Sequence, residues 1–368
     1  MKVPLTKRGM IQTALGSIYY LLHDGRSSNI EIDGNNKAPI LCFHMSPRSS
    51  DEYLEVLPLL ANDDGSGAGD TGRIVIAFDT PGYGSSDNPL KSCTIDEISD
   101  AFLEAADKLL LECGDYDDCY EQEQDNNDKS SKSSAKSISN EFVTIGSLMG
   151  NFFSVSIASR YPERVKGTIL TNIWFNPKAS TTKAEAEDDV IDVQEGSVEI
   201  DIAIKSDPFL LKDDGSHLME LHQKRSSVLD NELNLRVVHT EMSYLINRRK
   251  RYPLGISIQD PSTYDFIGAC HKIVDDRSSS YNINNKILCI KGEGYAEMFD
   301  KFGLDGSERF DNACKLLRND DDDEQKNNNG AVVQVETLTG DKSTLNLINQ
   351  MSNEFAILCN IFLNEHKL

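Results

Sequence analysis

Six short apolar runs constrain the fold of this chain more than any other feature of its sequence. Each run is three to five residues long and rich in β-branched side chains. Continuous apolar runs of this length are typical of strands that are buried on both faces, as in a parallel sheet. We therefore predict strands at Ile40–Phe43, Ile74–Phe78, Phe142–Ile145, Thr168–Leu170, Ile287–Ile290 and Val332–Val335.

Helical patterns lie between several of these runs. Thr94 and Glu97 have the spacing of a capping box, in which each side chain bonds the other residue's backbone N–H, and an apolar helix face follows them. A second helix is predicted to follow Gly150 and to end near Tyr161. Polar residues interrupt the first 25 residues too often for a signal peptide, so this stretch favours a β-hairpin. The alternation of strands and helices predicts an α/β doubly wound fold.

The chain divides into three predicted parts. Residues 1–172 and 286–368 are predicted to form one sheet domain, and the more helical residues 173–285 are predicted to be a cap inserted between two of its strands. Three low-complexity acidic inserts each precede a predicted strand, at 61–72, 112–140 and 318–330. Ligands of open α/β sheets bind beyond the C-terminal ends of the strands, so inserts at the N-terminal ends are predicted to be tolerated loops.

Charge and cysteine content narrow the possible partners. Of 368 residues, 37 are Lys or Arg and 60 are Asp or Glu, which gives a net charge of −23. Binding to nucleic acid or to an anionic membrane needs clusters of basic residues, so we expect neither partner. No run of 18 apolar residues is present, which argues against a membrane span. The eight cysteines form no Cys-x-x-Cys pair, so we expect no metal, no cofactor and a cytoplasmic location.

Three motifs, taken in order, carry a family resemblance. The first is Ile40–Pro47, a strand that ends in a His and a polar loop. The second is the Asp-x-x-Gly-x-Gly-x-Ser loop at Asp79–Ser86. The third is the pentapeptide Gly146–Gly150, with Tyr-Pro-Glu-Arg-Val at Tyr161–Val165 after it. Together they resemble the α/β-hydrolase superfamily over the first part of the predicted sheet domain, and its last part resembles that superfamily more weakly.

The resemblance implies a nucleophile elbow, a strained strand-to-helix turn that presents a Ser between two glycines. Here the pentapeptide reads Gly146-Ser147-Leu148-Met149-Gly150. Both glycines are present, so the turn is predicted to form. Leu148 occupies the nucleophile position, however, and a leucine side chain cannot attack a carbonyl. Ser147 is one position out of frame, and its side chain is predicted to point away from the nucleophile direction.

The other two catalytic positions that the resemblance implies also differ. The acid is expected after the predicted strand 287–290, where Tyr295 stands in the Asp position and Glu293 is a possible substitute. The His is expected after the last strand, but residues 338–344 contain none. Without that imidazole the usual general base is missing. A Ser-His-Asp hydrolase is therefore contradicted at two positions and doubtful at the third.

His44, Asp79 and Glu293 remain as the candidate catalytic residues. His44 is a candidate general base, or a structural residue that ties down its loop. Asp79 is a candidate for orienting a base, or it fixes the glycine loop by hydrogen bonds. The resemblance further implies oxyanion-type or ligand-binding positions at Met45, Ser46, Met149 and Tyr295.

Three functions stay open at this point. The first is binding of a small organic ligand beneath the cap, with little or no catalysis. The second is hydrolysis of a small ester or related carbonyl compound by an unusual mechanism that uses His44. The third is a protein-interaction scaffold. Because one fold hosts many activities, the fold alone does not decide among them.

Overall fold

A computed structural model describes most of the predicted sheet domain and parts of the predicted cap. The described residues are 6–26, 37–62, 72–90, 93–113, 141–173, 212–226, 235–243, 264–275, 286–295, 297, 306–318, 332–340, 342–344 and 346–368.

Eight strands form a single sheet in the order β1-β2-β4-β3-β5-β6-β7-β8. Strands β1 and β2 pair antiparallel with each other, β2 pairs antiparallel with β4, and β3 to β8 run parallel. The predicted N-terminal hairpin and the mostly parallel sheet are therefore confirmed, and all six predicted runs lie within strands. The strands are β1 Lys7–Thr13, β2 Gly16–Asp24, β3 Ile40–Phe43, β4 Ile74–Phe78, β5 Phe142–Ser147, β6 Val165–Thr171, β7 Lys286–Gly292 and β8 Val332–Leu338.

Helices cover both faces of this sheet. The capping box of α2 is present as predicted, with Thr94 Oγ1 accepting from the Glu97 N–H and the Glu97 carboxylate accepting from the Thr94 N–H. The helices are α1 Leu57–Ala61, α2 Ile95–Glu112, α3 Gly150–Arg160, α4 Ser216–Ser226, α5 Phe266–Asp275, α6 Gly306–Arg318, α7 Leu347–Gln350 and α8 Ser352–Glu365, with a 3₁₀ turn at Ser50–Tyr53.

Two hydrophobic clusters form the core, one on each face of the sheet. Leu41 and Phe43 of β3 belong to the first cluster, which α2, α3, α5 and α6 cover. Ile40 and Cys42 belong to the second cluster, which α1, α7 and α8 cover. Successive residues of a strand point to opposite faces of the sheet. Because helices cover both faces, both sets of side chains are buried, and the central strands are therefore apolar throughout.

Only parts of the predicted cap are described. The predicted helical stretch 184–205 lies outside the described residues, whereas 216–250 is described in part and is helical at 216–226 and 235–243. Helix α5 packs on α3, with the rings of Phe266 and Phe152 5.1 Å apart. The domain boundaries stay a prediction.

The three acidic inserts lie largely outside the described residues. Each ends two residues before the first residue of a parallel strand, namely β4, β5 or β8. No helix in the described part of the chain is both long enough and apolar enough to cross a bilayer.

Candidate functional site

The predicted strand-to-helix turn is present between β5 and α3. Leu148, at the turn, has φ of 48° and is half-buried. Residues other than glycine rarely adopt this left-handed backbone conformation, which costs about 1–2 kcal/mol. The flanking glycines are required by space, because a Cβ on Gly150 would lie 2.0 Å from the Phe43 carbonyl oxygen and a Cβ on Gly146 would lie 2.6 Å from the Gly150 oxygen. The chain therefore keeps a strained elbow that presents a leucine.

Ser147 is buried on the far side of the elbow strand. It lies two residues after Ile145, which belongs to the second cluster, so both side chains point to the same face. Its Oγ donates to Oε1 of Glu52 at 2.7 Å, and Ser147 is 1% exposed. The hydroxyl next to the elbow is thus held by a carboxylate and lies away from the surface at which Leu148 is presented.

Both ring nitrogens of His44 have backbone partners. Nδ1 lies 2.8 Å from the Met45 carbonyl oxygen and donates to it, while Nε2 accepts from the Thr80 N–H at 2.9 Å. These partners fix the neutral tautomer. His44 is fully buried, and burial lowers the pKa of its imidazole to about 4. This geometry favours the structural role of His44, which ties the loop after β3 to the loop after β4.

Asp79 is occupied in a similar way. Oδ1 accepts from the Ser50 N–H at 2.6 Å and Oδ2 accepts from the Ser85 N–H at 2.7 Å. Burial raises the pKa of the carboxyl to about 6, although these hydrogen bonds lower it. Gly84, with φ of 51°, packs against this carboxylate. The geometry favours the role of fixing the glycine loop.

Glu52 is the residue at this edge of the sheet that the sequence analysis did not identify. It lies in the 3₁₀ turn after β3 and is 3% exposed. Its Oε2 accepts from the Met45 N–H at 2.8 Å, and its Oε1 accepts from Ser147. Burial raises the pKa of the Glu52 carboxyl to about 7, while the two hydrogen bonds and Arg48 lower it. Nothing in the sequence distinguishes Glu52 from a solvent-exposed acid, because its partner Ser147 lies 95 positions away.

Arg48 joins three separate parts of the chain beside Glu52. Its guanidinium pairs with Glu241 at 2.8 Å and donates to Oδ1 of Asn346 at 2.7 Å. The side chains of Arg48 and Glu241 are 4% and 3% exposed. Glu241 belongs to the helical residues 235–243, and Asn346 follows β8. An ion pair and an amide therefore lie next to the loops where the family resemblance implies a triad.

The candidates in the loop after β7 contact the loop after β8. Glu293 is exposed, and one of its oxygens lies 3.4 Å from the Gly340 N–H. Tyr295 is 1% exposed, and its N–H donates to the Ser343 carbonyl at 3.0 Å. These contacts join the loop after β7 to the loop after β8.

Of the other predicted positions, Met45 donates its backbone N–H to Glu52, which also accepts from Ser147. Met149 is buried in the first cluster. Ser46 Oγ lies 3.2 Å from the Tyr83 hydroxyl.

A small cleft opens between the 3₁₀ turn and the helical residues 235–243. The space in it that a water-sized molecule can occupy is about 20 Å³, and it is open to solvent. Within the described residues, no group of three or more His, Cys, Asp or Glu side chains is placed to hold a metal ion. The cleft is lined by Arg48, Ser49, Asp51, Glu52, Arg236, Val237, Thr240 and Asn349.

Comparison with known proteins places this arrangement in context. Residues 38–196 match a family model described as the alpha/beta hydrolase fold. The enol-lactonase from Burkholderia xenovorans LB400 superposes with a TM-score of 0.55 at 13% identity, covering 97% of this chain and 100% of that chain. The esterase from Thermogutta terrifontis superposes with a TM-score of 0.54 at 13% identity, covering 98% of this chain and 99% of that chain. The bromoperoxidase from Bacillus anthracis superposes with a TM-score of 0.53 at 13% identity, covering 97% of this chain and 100% of that chain. Such identities show the fold alone, and a comparison with curated proteins found no match.

Proposed function

We propose that this chain, which has the α/β-hydrolase fold, binds a small organic ligand at the C-terminal edge of its sheet and does not hydrolyse esters through its elbow residue. The observation that carries the proposal is Leu148 at φ 48° in the nucleophile position. A strained backbone there costs free energy, yet it presents a side chain with no lone pair. The turn has the geometry of an elbow, but the residue that it presents has no nucleophilic atom.

The surroundings of the elbow support the same conclusion. A general base must reach the proton that it removes. Both nitrogens of His44 are engaged by backbone groups, and the Ser147 hydroxyl is buried against Glu52. The other six histidines are all within the described residues, and none lies in the loops after β3, β5, β7 or β8.

The cleft supports ligand binding over a purely structural role. Ligand sites are concave and place a few polar groups at fixed positions. Here Arg48 and Glu52, both nearly fully buried, line the cleft between the 3₁₀ turn and residues 235–243 and are held by hydrogen bonds and an ion pair. A protein-interaction scaffold has no need of buried charges at this place, and burying them is costly.

Hydrolysis through His44 is the alternative, and one assay separates the two. Purified protein is incubated with a panel of short p-nitrophenyl esters, beside the variants His44→Ala and Leu148→Ser. We expect no turnover above buffer for the wild-type chain and none for Leu148→Ser, because a restored hydroxyl still lacks a base. Turnover by the wild-type chain that is absent in a His44→Ala variant shown to be folded by circular dichroism would establish the alternative.

Ligand binding itself is tested by thermal unfolding of the wild-type chain against a panel of small organic acids, amides, alcohols and lactones. A ligand that binds only the folded chain raises the unfolding temperature in a concentration-dependent way. We expect at least one class to do so, with the effect reduced in Arg236→Ala, which removes a half-buried guanidinium from the wall of the cleft. If no class shifts the transition, the binding proposal fails.

A further inference from the structure

The helical residues 235–243 are fastened to one short segment of the sheet domain by two ion pairs. Arg236, near the start of this helix, pairs with Glu55, and Glu241, nearer its end, pairs with Arg48 at 2.8 Å. The two partners outside the helix flank the 3₁₀ turn after β3. The contacts are more than one helical turn apart, so together they hold the helix across the cleft.

The cleft between these two segments is too small for an organic molecule in this structure. Its space of about 20 Å³ has room for about one water molecule, whereas pockets for drug-sized ligands contain about 300–1,000 Å³. Arg236, Val237 and Thr240 form one wall of the cleft. Movement of residues 235–243 away from the 3₁₀ turn is therefore what enlarges it.

We propose that residues 235–243 are a latch, which closes the cleft in this structure and lifts from the turn after β3 to admit an organic ligand. The proposal rests on the proposed function, because it states how a ligand reaches that site. When only an open form binds, the apparent dissociation constant rises as the open form becomes rarer. The two ion pairs therefore control the affinity for the ligand.

The two ion pairs differ in how far solvent reaches them. The side chains of Arg236 and Glu55 are 25% and 34% exposed, so salt weakens this pair. The pair between Arg48 and Glu241 is nearly fully buried, and salt screens it much less. Lifting the latch also exposes its side chains that lie in the first cluster. The closed form should therefore predominate, with the open form as a minor population.

Hydrogen exchange of the chain without any ligand tests whether the latch opens. Exchange is followed by mass spectrometry at increasing urea concentrations, and peptides from residues 235–243 are compared with peptides from β5. A latch opens locally, so its amides should exchange faster than those of β5 and should depend less on urea. If both regions exchange at the same rate with the same urea dependence, residues 235–243 open only when the whole chain unfolds, and the inference is wrong.

A substitution in the more exposed ion pair tests what holds the latch. Arg236 lines the cleft, whereas Glu55 does not, so Glu55→Gln weakens the latch without altering the wall. We expect exchange in residues 235–243 to become about two- to fivefold faster, and roughly 0.5 M sodium chloride to reduce this difference. The matched control is Glu220→Gln, which removes an ion pair with Lys212 and should leave that exchange unchanged. Equal effects of the two variants would contradict the role of the ion pair.

The affinity for an organic ligand gives a second arm. For a compound that raises the unfolding temperature of the wild-type chain, the concentration that produces a given rise should be about two- to fivefold lower with Glu55→Gln. An unchanged or higher concentration would show that the ligand enters without opening of the latch, and it would overturn the inference. If no compound binds the wild-type chain, the proposed function fails, while the exchange experiment still decides whether residues 235–243 open.

Discussion

The Ser147 hydroxyl donates a 2.7 Å hydrogen bond to the Glu52 carboxylate, although the two residues are 95 positions apart in the chain. Ser147 precedes the elbow residue Leu148, and Glu52 lies in the turn that follows β3. The bond holds the only hydroxyl in the elbow pentapeptide on the face opposite to the elbow position. It also places a buried acid against the loop that carries Met45, and this arrangement leads to the first prediction.

Replacing Glu52 by glutamine should change how stability depends on pH. Burial raises the pKa of Glu52 from an ordinary 4.5 to about 7. Between these values the folded chain holds a proton that the unfolded chain has released, so stability falls as pH rises. The free energy of unfolding of the wild-type chain, relative to that of Glu52→Gln, should fall by about 3 kcal/mol from pH 4.5 to pH 7. Urea unfolding of both chains measures it.

Two other buried groups titrate in the same range. Asp79, with its pKa raised to about 6, acts in the same direction as Glu52, and His44, with its pKa lowered to about 4, acts in the opposite direction. Both are present in the wild-type chain and in Glu52→Gln, so their effects cancel in the difference. A difference that stays constant from pH 4.5 to pH 7 would contradict the assignment.

His44→Ala should lower the stability of the folded chain. The substitution leaves the Met45 carbonyl and the Thr80 N–H without their imidazole partner in a buried place. We expect a loss of about 2–4 kcal/mol in the free energy of unfolding at pH 7. The control is His239→Ala, an exposed histidine, which should change stability by less than about 0.5 kcal/mol. Equal effects of the two substitutions would argue against the structural role.

The buried ion pair between Arg48 and Glu241 should show strong coupling. Removing one partner leaves an uncompensated buried charge, so Arg48→Met or Glu241→Leu alone should cost about 3–5 kcal/mol. The double variant should cost less than the sum, because neither charge remains. A double-mutant cycle in urea measures this coupling, and additive effects would show that the 2.8 Å contact contributes little.

Gly150→Ala should prevent normal folding of the elbow. The added methyl group would lie 2.0 Å from the backbone oxygen of Phe43, which the central strand β3 holds in place. We expect a loss of at least about 3 kcal/mol. Gly294→Ala is the matched control, because its nearest neighbour would lie at 3.4 Å in ordinary contact. A Gly150→Ala chain as stable as the control would show that the turn can move away from β3.

Much of the fold follows from the sequence through short-range physics. The run Ile74–Phe78 coincides with β4, and Thr94 caps α2 as predicted, because burial on both faces and local capping leave patterns within a few residues. The elbow turn follows from the sequence in another way, through the family resemblance whose motif the glycines of Gly146–Gly150 match. The alternatives for His44 could not be separated this way, because its partner Thr80 lies 36 residues away.

The tertiary structure alone decided which polar groups meet at the edge of the sheet. Arg48 reaches Asn346 across 298 positions, and Glu52 reaches Ser147 across 95. A charged side chain in a sequence reads as solvent-exposed, since burying it is unfavourable without partners, and those partners come from distant strands and helices. The sequence by itself determined the strands of the sheet and, through the family resemblance, the turn in which Leu148 lies between two glycines. Packing of separate loops over one edge determined that a buried carboxylate and an ion pair lie there, because burial and pairing exist only once those loops come together.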